Sequence, residues 1–140
     1  MIDSIYWQVP NRVLVVRFEG EISKPDAWYV VEDIYQTIEQ HTHTPSVHVI
    51  YHALNAWMNE EEITLSFLYS LVKIHPRPRQ LGWSIYVHSE STTAFRFVSE
   101  SVTNLLHIRY RFIPTMSAAN AFLHSVDSTL PRSESKVSSV

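Results

Sequence analysis

The sequence predicts an α/β domain with a mixed, mostly parallel five-stranded sheet and four helices. Short runs of β-branched and aromatic residues alternate with amphipathic stretches of helical periodicity. The first two runs are separated by a two-residue turn, which indicates an antiparallel hairpin, and each later run is separated from the next by one helix. Strands joined in this way form right-handed crossovers and a parallel sheet. The predicted order of elements is therefore β-β-α-β-α-β-α-β-α.

Length and composition favour one domain with one core. The chain has 140 residues, of which 45% are hydrophobic and 18% are charged. We assign residues 1–130 to this single domain. Residues 131–140 are dominated by serine and charge and offer little to bury, so we expect a flexible C-terminal tail.

The same composition excludes several classes of function. The absence of cysteine removes thiolate chemistry and thiol-rich zinc sites, and two distant glycines cannot form a nucleotide-binding loop. A formal charge of -3 disfavours nucleic acid and anionic membranes as partners. No run approaches the roughly 18 apolar residues of a membrane span, and the first residues do not resemble a secretory signal, so we expect a cytoplasmic protein.

The opening elements have clear local reasons. Ser4–Val9 and Arg12–Ile22 are rich in strand-forming residues, and the Pro10-Asn11 pair between them has turn chemistry. Ser23 with an acid three positions later marks the start of a helix that runs to near residue 40. The predicted inner stripe of this helix is Ala27, Val31, Ile34 and Ile38.

The next strand and helix follow from a change of pattern. Val47–Ala53 has the length and composition of a buried strand. Asn59 followed by three glutamates is typical of a helix start, because it combines a cap with acids near the positive end of the helix dipole. We therefore predict a connecting segment over residues 53–59. The remaining predicted elements are strand Trp83–His88, helix Thr92–His107, strand Arg109–Ile113 and helix Ser117–Val126.

Two stretches carry a resemblance to a known family. The opening hairpin ends in Phe18-Glu19-Gly20-Glu21-Ile22 and leads through one helix to the strand Val47-His48-Val49-Ile50-Tyr51. Near the end, Arg111-Phe112-Ile113-Pro114-Thr115 precedes an alanine-bearing helix. Over residues 4–127 this order resembles the STAS superfamily of sulfate-transporter and anti-sigma-antagonist domains, closest to its SpoIIAA-like branch. The resemblance implies a small regulatory or binding module, usually without catalysis of its own.

One departure from that family concerns phosphorylation. Its antagonists present a phosphorylatable hydroxyl in a turn between the third strand and the second helix. Here residues 53–60 read Ala-Leu-Asn-Ala-Trp-Met-Asn-Glu, without hydroxyl or glycine. Neighbouring glutamates would also repel an added phosphate. We therefore expect no kinase-controlled switch at this place.

Polar residues at the ends of the third and fourth strands are the first candidate site. In open α/β sheets, ligands gather at the carboxyl ends of the strands, where His52, Asn55, His88 and Glu90 could converge. A histidine beside a carboxylate can act as a general acid or base. No nucleophile with a recognisable base can be named, and the alternative is ordinary polar residues meeting solvent.

A metal site is not expected, although the chain has eight histidines. His48 and His52 would share a strand face but lie about 13 Å apart at roughly 3.3 Å per residue, too far to share one ion. No zinc-protease pattern is present. We predict neither a metal nor a cofactor.

Trp57 and Met58 form the second candidate site. Tryptophan and methionine on a surface segment are typical of binding interfaces. Met58 has an alternative role, because a residue before a helix cap commonly packs against one four positions beyond it, here Ile63. That alternative leaves Trp57 free for a partner or ligand.

Three functions follow in order of preference. The first is a non-enzymatic STAS-like module that binds a protein partner, or a second copy as a homodimer, through the second helix and Trp57. The second is a carrier of a small apolar or lipid-like ligand, lined by Phe67, Phe95 and Phe97. The third is an enzyme that uses the His52/His88 edge.

Overall fold

The computed structural model describes residues 1–40, 46–59, 61–75, 77–88, 100–101, 103–104 and 107–131. Within these residues the chain builds one five-stranded sheet with the spatial order β1-β2-β3-β4-β5. β1 and β2 are antiparallel, and the other three neighbouring pairs are parallel. The predicted mixed, mostly parallel sheet of an α/β fold is confirmed. The strands are β1 (Ile2–Val9), β2 (Val13–Ile22), β3 (Val47–Met58), β4 (Leu81–Val87) and β5 (Arg109–Ile113).

The described part of the chain has three helices, not the predicted four. Helix α1 starts as Lys24–Tyr29 and continues without a break through a π-helical turn, Val30–Ile34, into Tyr35–Glu39. Helix α2 is Leu65–Ile74 and helix α3 is Met116–Val126.

The order of elements along the described chain is therefore β-β-α-β-α-β-β-α instead of the predicted order. The expected helix Thr92–His107 lies mostly outside the described residues; residues 100, 101, 103 and 104 of it are described and are helical. His107 has a φ of 55°, which a right-handed helix does not allow. The predicted tail, apart from Pro131, also lies outside the described residues.

The hairpin and α1 form for the reasons that the sequence indicates. Arg12 N–H donates to the Val9 carbonyl at 2.9 Å, and Asn11 takes a φ of 62°, a conformation that asparagine tolerates. Ser23 is the N-cap of α1, and its N–H donates to Asp26 Oδ2 at 2.8 Å. The predicted turn of the hairpin and the predicted start of α1 at Ser23 are both confirmed.

The third strand is longer than predicted. Its expected end was Ala53, but β3 runs to Met58 because β2 continues beside it to Ile22 and offers a ladder. A bulge lies between the pairs Arg17–His52 and Glu19–Asn55. The prediction that residues 53–58 form a connecting segment is therefore wrong.

The second helix starts later than predicted. Thr64 is its N-cap and accepts a hydrogen bond from Phe67 N–H at 3.1 Å. Asn59 caps only a turn before it, since Asn59 Oδ1 accepts from the N–H groups of Glu61 and Glu62 at 3.0 and 3.3 Å. The helix start predicted at Asn59 is wrong by five residues.

The sheet has two differently covered faces. We call the side that packs under α1 and α2 the front face; its core includes Val16, Val49 and Tyr51. The back face packs under α3, with Ile50 and Ile85 against Ala119 and Leu123 of the helix. No helix in the described part of the chain is long and apolar enough to cross a membrane.

A row of stacked aromatic rings crosses the front face. Its ring centroids are separated by 6.4 Å between Phe18 and Tyr51, 5.2 Å between Tyr51 and Tyr86, and 5.0 Å between Tyr86 and Phe112. Burial raises the pKa of Tyr51 and of Tyr86 well above the ordinary tyrosine value. These phenols therefore stay neutral and serve packing across four adjacent strands.

Candidate functional site

The predicted site residues of β3 do not all lie on one face. Arg17 falls between Val16 and Phe18, which are buried in the front core, so Arg17 and its register partner His52 lie on the back. Beyond the bulge, Asn55 pairs with Glu19 and Trp57 pairs with Glu21, also on the back. The lengthened strand thus places His52, Asn55 and Trp57 on the back face.

Met58 points to the front. It pairs with Ile22 and packs against the cluster that contains Ile63, the residue predicted as its contact. Because Trp57 and Met58 are adjacent in a strand, their side chains leave opposite faces of the sheet. The expected single surface made of the second helix and Trp57 is therefore not formed.

His52 and His88 are not brought together either. His52 pairs with Val87, which lies in the back core, whereas the ring of His88 meets Phe112 of the front aromatic row edge-on at 5.0 Å. The two imidazoles thus belong to opposite faces. Glu90, the fourth member of the predicted edge, lies outside the described residues.

The carboxyl half of β2 and β3 forms an open area on the back face. Helix α3 packs over the amino half of these strands, and no other described helix packs on the back. Trp57 is 57% exposed. We call this area the open surface; it comprises Arg17, Glu19, Glu21, Asn55 and Trp57.

The charges of the open surface are arranged along β2. Arg17 Nη2 lies 2.8 Å from Glu19 Oε1, and Arg17 Nε lies 3.7 Å from Asp3 Oδ2. Glu21 Oε2 accepts a hydrogen bond from the neutral amide of Asn59 at 2.8 Å. One cation is thus shared by two carboxylates, and the third carboxylate has no cationic side-chain partner among the described residues.

His52 contributes a polar atom beneath this surface. Its Nδ1 is buried and has no hydrogen-bond partner in the described part of the chain. Burial, and to a lesser degree the charge of Arg17, lowers the pKa of His52. The imidazole is therefore neutral at physiological pH.

The best-formed histidine–carboxylate pair lies at the opposite end of the strands. His48 Nε2 is 2.7 Å from Asp127 Oδ2, and His48 Nδ1 accepts the N–H of Trp83 at 2.9 Å. Since Nδ1 is an acceptor, the Nε2 proton is donated to Asp127. Both ring nitrogens are engaged, so His48 has no free lone pair to act as a base.

The partners of Asp127 extend this cluster. Arg12 Nη2 donates to Asp127 Oδ2 at 2.8 Å, and Thr129 N–H and Oγ1 reach Oδ1. Burial alone would raise the pKa of Asp127, but the hydrogen bonds from Thr129 and His48 and the charge of Arg12 lower it. The cluster ties the end of α3 to the starts of β2 and β3, which is a structural role.

An acidic depression beside the π-helical turn is a third candidate. It has a volume of about 490 Å³ and lies between α1 and the end of α2. Glu32, Asp33 and Glu39 line it, and His75 Nε2 lies 3.8 Å from Glu32 Oε1. Among the described residues no group of three or more histidines and carboxylates is placed to hold a metal ion.

The residues predicted to line an apolar cavity are only partly placed. Phe67 lies half-buried on α2, with Lys24 Nζ 5.3 Å from its ring centroid. Phe95 and Phe97 lie outside the described residues. The apolar-ligand hypothesis stays a prediction.

Comparison with known proteins adds no identification. The chain matches no family model, no curated protein and no solved structure. Similarity to the STAS superfamily therefore stays a prediction that depends on the motifs and the order of elements.

Sequence reasoning missed Arg17, Glu19 and Glu21, which share the open surface with Trp57. A usable pattern was present, because charge recurs at every second position after the apolar run of β2, which is typical of a strand face that turns from core to solvent. The link from His48 to Asp127 has no comparable pattern, since 79 positions separate the two residues.

Proposed function

We propose that the protein is a non-enzymatic, STAS-like regulatory or interaction module that binds a protein partner through the open surface. The observation that carries this proposal is Trp57, a large aromatic side chain held 57% exposed on a strand of the sheet. Tryptophan, tyrosine and arginine supply most of the binding energy in protein interfaces. Trp57 and Arg17 supply two of the three on one side of the adjacent strands β2 and β3.

The position of these side chains supports binding over catalysis. They sit on paired strands, which hold a contact surface more precisely than a loop does. His48 and Asp127, the closest histidine–carboxylate pair among the described residues, are both engaged in structural hydrogen bonds. A binding surface with an aromatic centre and charged neighbours is what the described geometry favours.

The test compares two exposed aromatic residues on opposite sides of the sheet. Tyr69 of α2 is 53% exposed and lies on the front, so Tyr69→Ala is a matched control for Trp57→Ala. Tagged wild-type and variant proteins are used to isolate complexes, and the identified partner is purified and its dissociation constant measured. We expect Trp57→Ala to weaken the complex by about 30-fold, the effect of losing about 2 kcal/mol at an interface centre.

The control should leave the affinity within about twofold, the range of a surface substitution outside the contact. Sedimentation of the isolated protein shows whether the partner is a second copy. Equal binding by wild type and Trp57→Ala, or equal weakening by both variants, would refute the open surface as the contact.

A further inference from the structure

The surroundings of Trp57 are those of a site for a positively charged group. Its six-membered ring leans over β2, since a Cβ atom built on Gly20 would lie 3.9 Å from Trp57 Cη2. Gly20 has a φ of 66°, and the indole lies at van der Waals distance from the position that a Cβ atom would take there. The ring therefore lies beside Gly20, next to Glu21, the register partner of Trp57.

The carboxylates of Glu19 and Glu21 differ in the charge of the groups that contact them. Glu19 is paired with Arg17 at 2.8 Å, whereas the carboxylate of Glu21 accepts a hydrogen bond from the neutral amide of Asn59 at 2.8 Å. Among the described residues, no cationic side chain lies within ion-pair distance of Glu21. Glu19 and Glu21 against Arg17 leave the open surface with one negative charge in excess, and the N-terminal ammonium donates to the backbone carbonyls of Glu19 and Glu21.

Two half-buried aromatic rings elsewhere in the chain each have an arginine side chain over the ring. Arg109 lies 5.7 Å from the ring centroid of Trp83, and Arg111 lies 5.1 Å from that of Phe122. An aromatic face attracts a cation through its quadrupole, and tryptophan does so most strongly. Trp57 has a carboxylate beside it and, in the described part of the chain, no such cation over its ring.

We infer that the open surface takes a cationic side chain, preferentially the guanidinium of an arginine, from a basic segment of the partner protein. This inference rests on the proposed function and names the chemistry that the surface recognises. Arginine fits better than lysine because its planar group stacks on the indole while its N–H groups donate to a carboxylate. Glu21 is the carboxylate in place for that contact.

The experiment uses two synthetic pentapeptides and the full chain. One peptide contains two arginines separated by glycine, and the other has citrulline, the neutral analogue of the same shape, at both positions. Binding is followed by NMR through the indole N–H resonance of Trp57, which the spectrum of Trp57→Phe assigns. We expect the arginine peptide to shift this resonance and to bind at least about fivefold more tightly than the citrulline peptide, a typical cation–aromatic contribution.

Two charge variants separate a local contact from net charge. Glu21→Gln should weaken the arginine peptide about fivefold, whereas Glu39→Gln, which removes the same charge from α1 on the front, should leave its affinity unchanged. Equal binding of both peptides, or equal weakening by both variants, would overturn the inference.

The experiments distinguish failure of the arginine contact from failure of the open surface as a binding site. If the peptides bind equally while Trp57→Ala still weakens the partner complex, the cationic group is refuted and the binding surface stands. If Trp57→Ala leaves the partner complex unchanged, both proposals are refuted.

Discussion

His48 occupies space that a glycine on the neighbouring strand leaves free. A Cβ atom on Gly82 would lie 2.4 Å from His48 Nδ1 and 2.6 Å from His48 Cε1. Since His48 is only 2% exposed and is held by Asp127 and Trp83, its ring cannot swing away without losing hydrogen bonds. A glycine is needed at position 82 because of this close approach.

We therefore expect Gly82→Ala to lower the free energy of unfolding by about 2–3 kcal/mol, the range of an overpacked core. Denaturant unfolding measures this change. The control is the same substitution in a His48→Ala background, where the clash is absent and Gly82→Ala should cost much less. An equal cost in both backgrounds would show that the ring does not set the requirement.

Individual candidate residues were easier to name from the sequence than the residues that lie beside them in the structure. Trp57 was singled out from the sequence because a large apolar side chain was expected on a connecting segment near the surface. Its neighbours on β2 depend on a parallel register with a bulge, which no local pattern encodes. His52 and His88 were predicted to converge because strand ends meet at one edge, but the pleat sends their rings to opposite faces.

At the scale of elements, locally encoded starts were predictable and pairing-dependent ends were not. The hairpin turn, the cap of α1 at Ser23 and strand β5 follow from residues within a few positions of one another. The end of β3 depends on β2, which lies far away in sequence and supplies the ladder that extends β3 to Met58. Because β3 extends to Met58, α2 starts at Thr64 and not at the predicted Asn59.

The two possible starts of α2 give opposite expectations for one substitution. With Thr64 as N-cap, Thr64→Ala should lower the free energy of unfolding by about 1 kcal/mol. With a start at Asn59, position 64 would be inside the helix, where alanine is favourable. Thermal or denaturant unfolding measures the change, with Ser66→Ala, at an exposed position within the same helix, as control. A stabilising Thr64→Ala would contradict the observed start.

At the scale of the whole molecule, one buried cluster joins the sheet to the last helix. Asp127 follows α3 directly and receives hydrogen bonds from Arg12, which immediately precedes β2, and from His48 in β3. Protonation of His48 requires the Nδ1 lone pair that accepts the Trp83 N–H. The packing of α3 on the back face is thus linked to the protonation of His48 and Asp127.

This linkage predicts loss of stability in acid. Burial lowers the pKa of His48, and hydrogen bonding to Asp127 opposes this only in part. The unfolded chain therefore takes up a proton first, and stability that is complete above about pH 6.5, the ordinary histidine value, declines as the pH falls below it. His52 acts in the same direction because its pKa is also lowered by burial. The lowered pKa of Asp127 adds a second loss below about pH 4, the ordinary aspartate value.

Unfolding measured from pH 8 to pH 4.5 checks this expectation. His48→Gln keeps an acceptor beside the Trp83 N–H but cannot titrate, so its stability should depend less steeply on pH than that of the wild type. His52→Gln is the comparison for the histidine that lies beneath the open surface. Stability that rises between pH 7 and pH 5 would contradict the linkage.

The central claim is that the protein binds a partner through the open surface of its sheet. Site-specific photo-crosslinking tests it most directly, with a benzophenone amino acid placed at Asn55 on the open surface or at Ser66 on the exposed side of α2. We predict a defined crosslinked product from position 55 that disappears when Trp57→Ala is added, and no such product from position 66. The same product from both positions, or a product from position 55 that persists with Trp57→Ala, would contradict the claim.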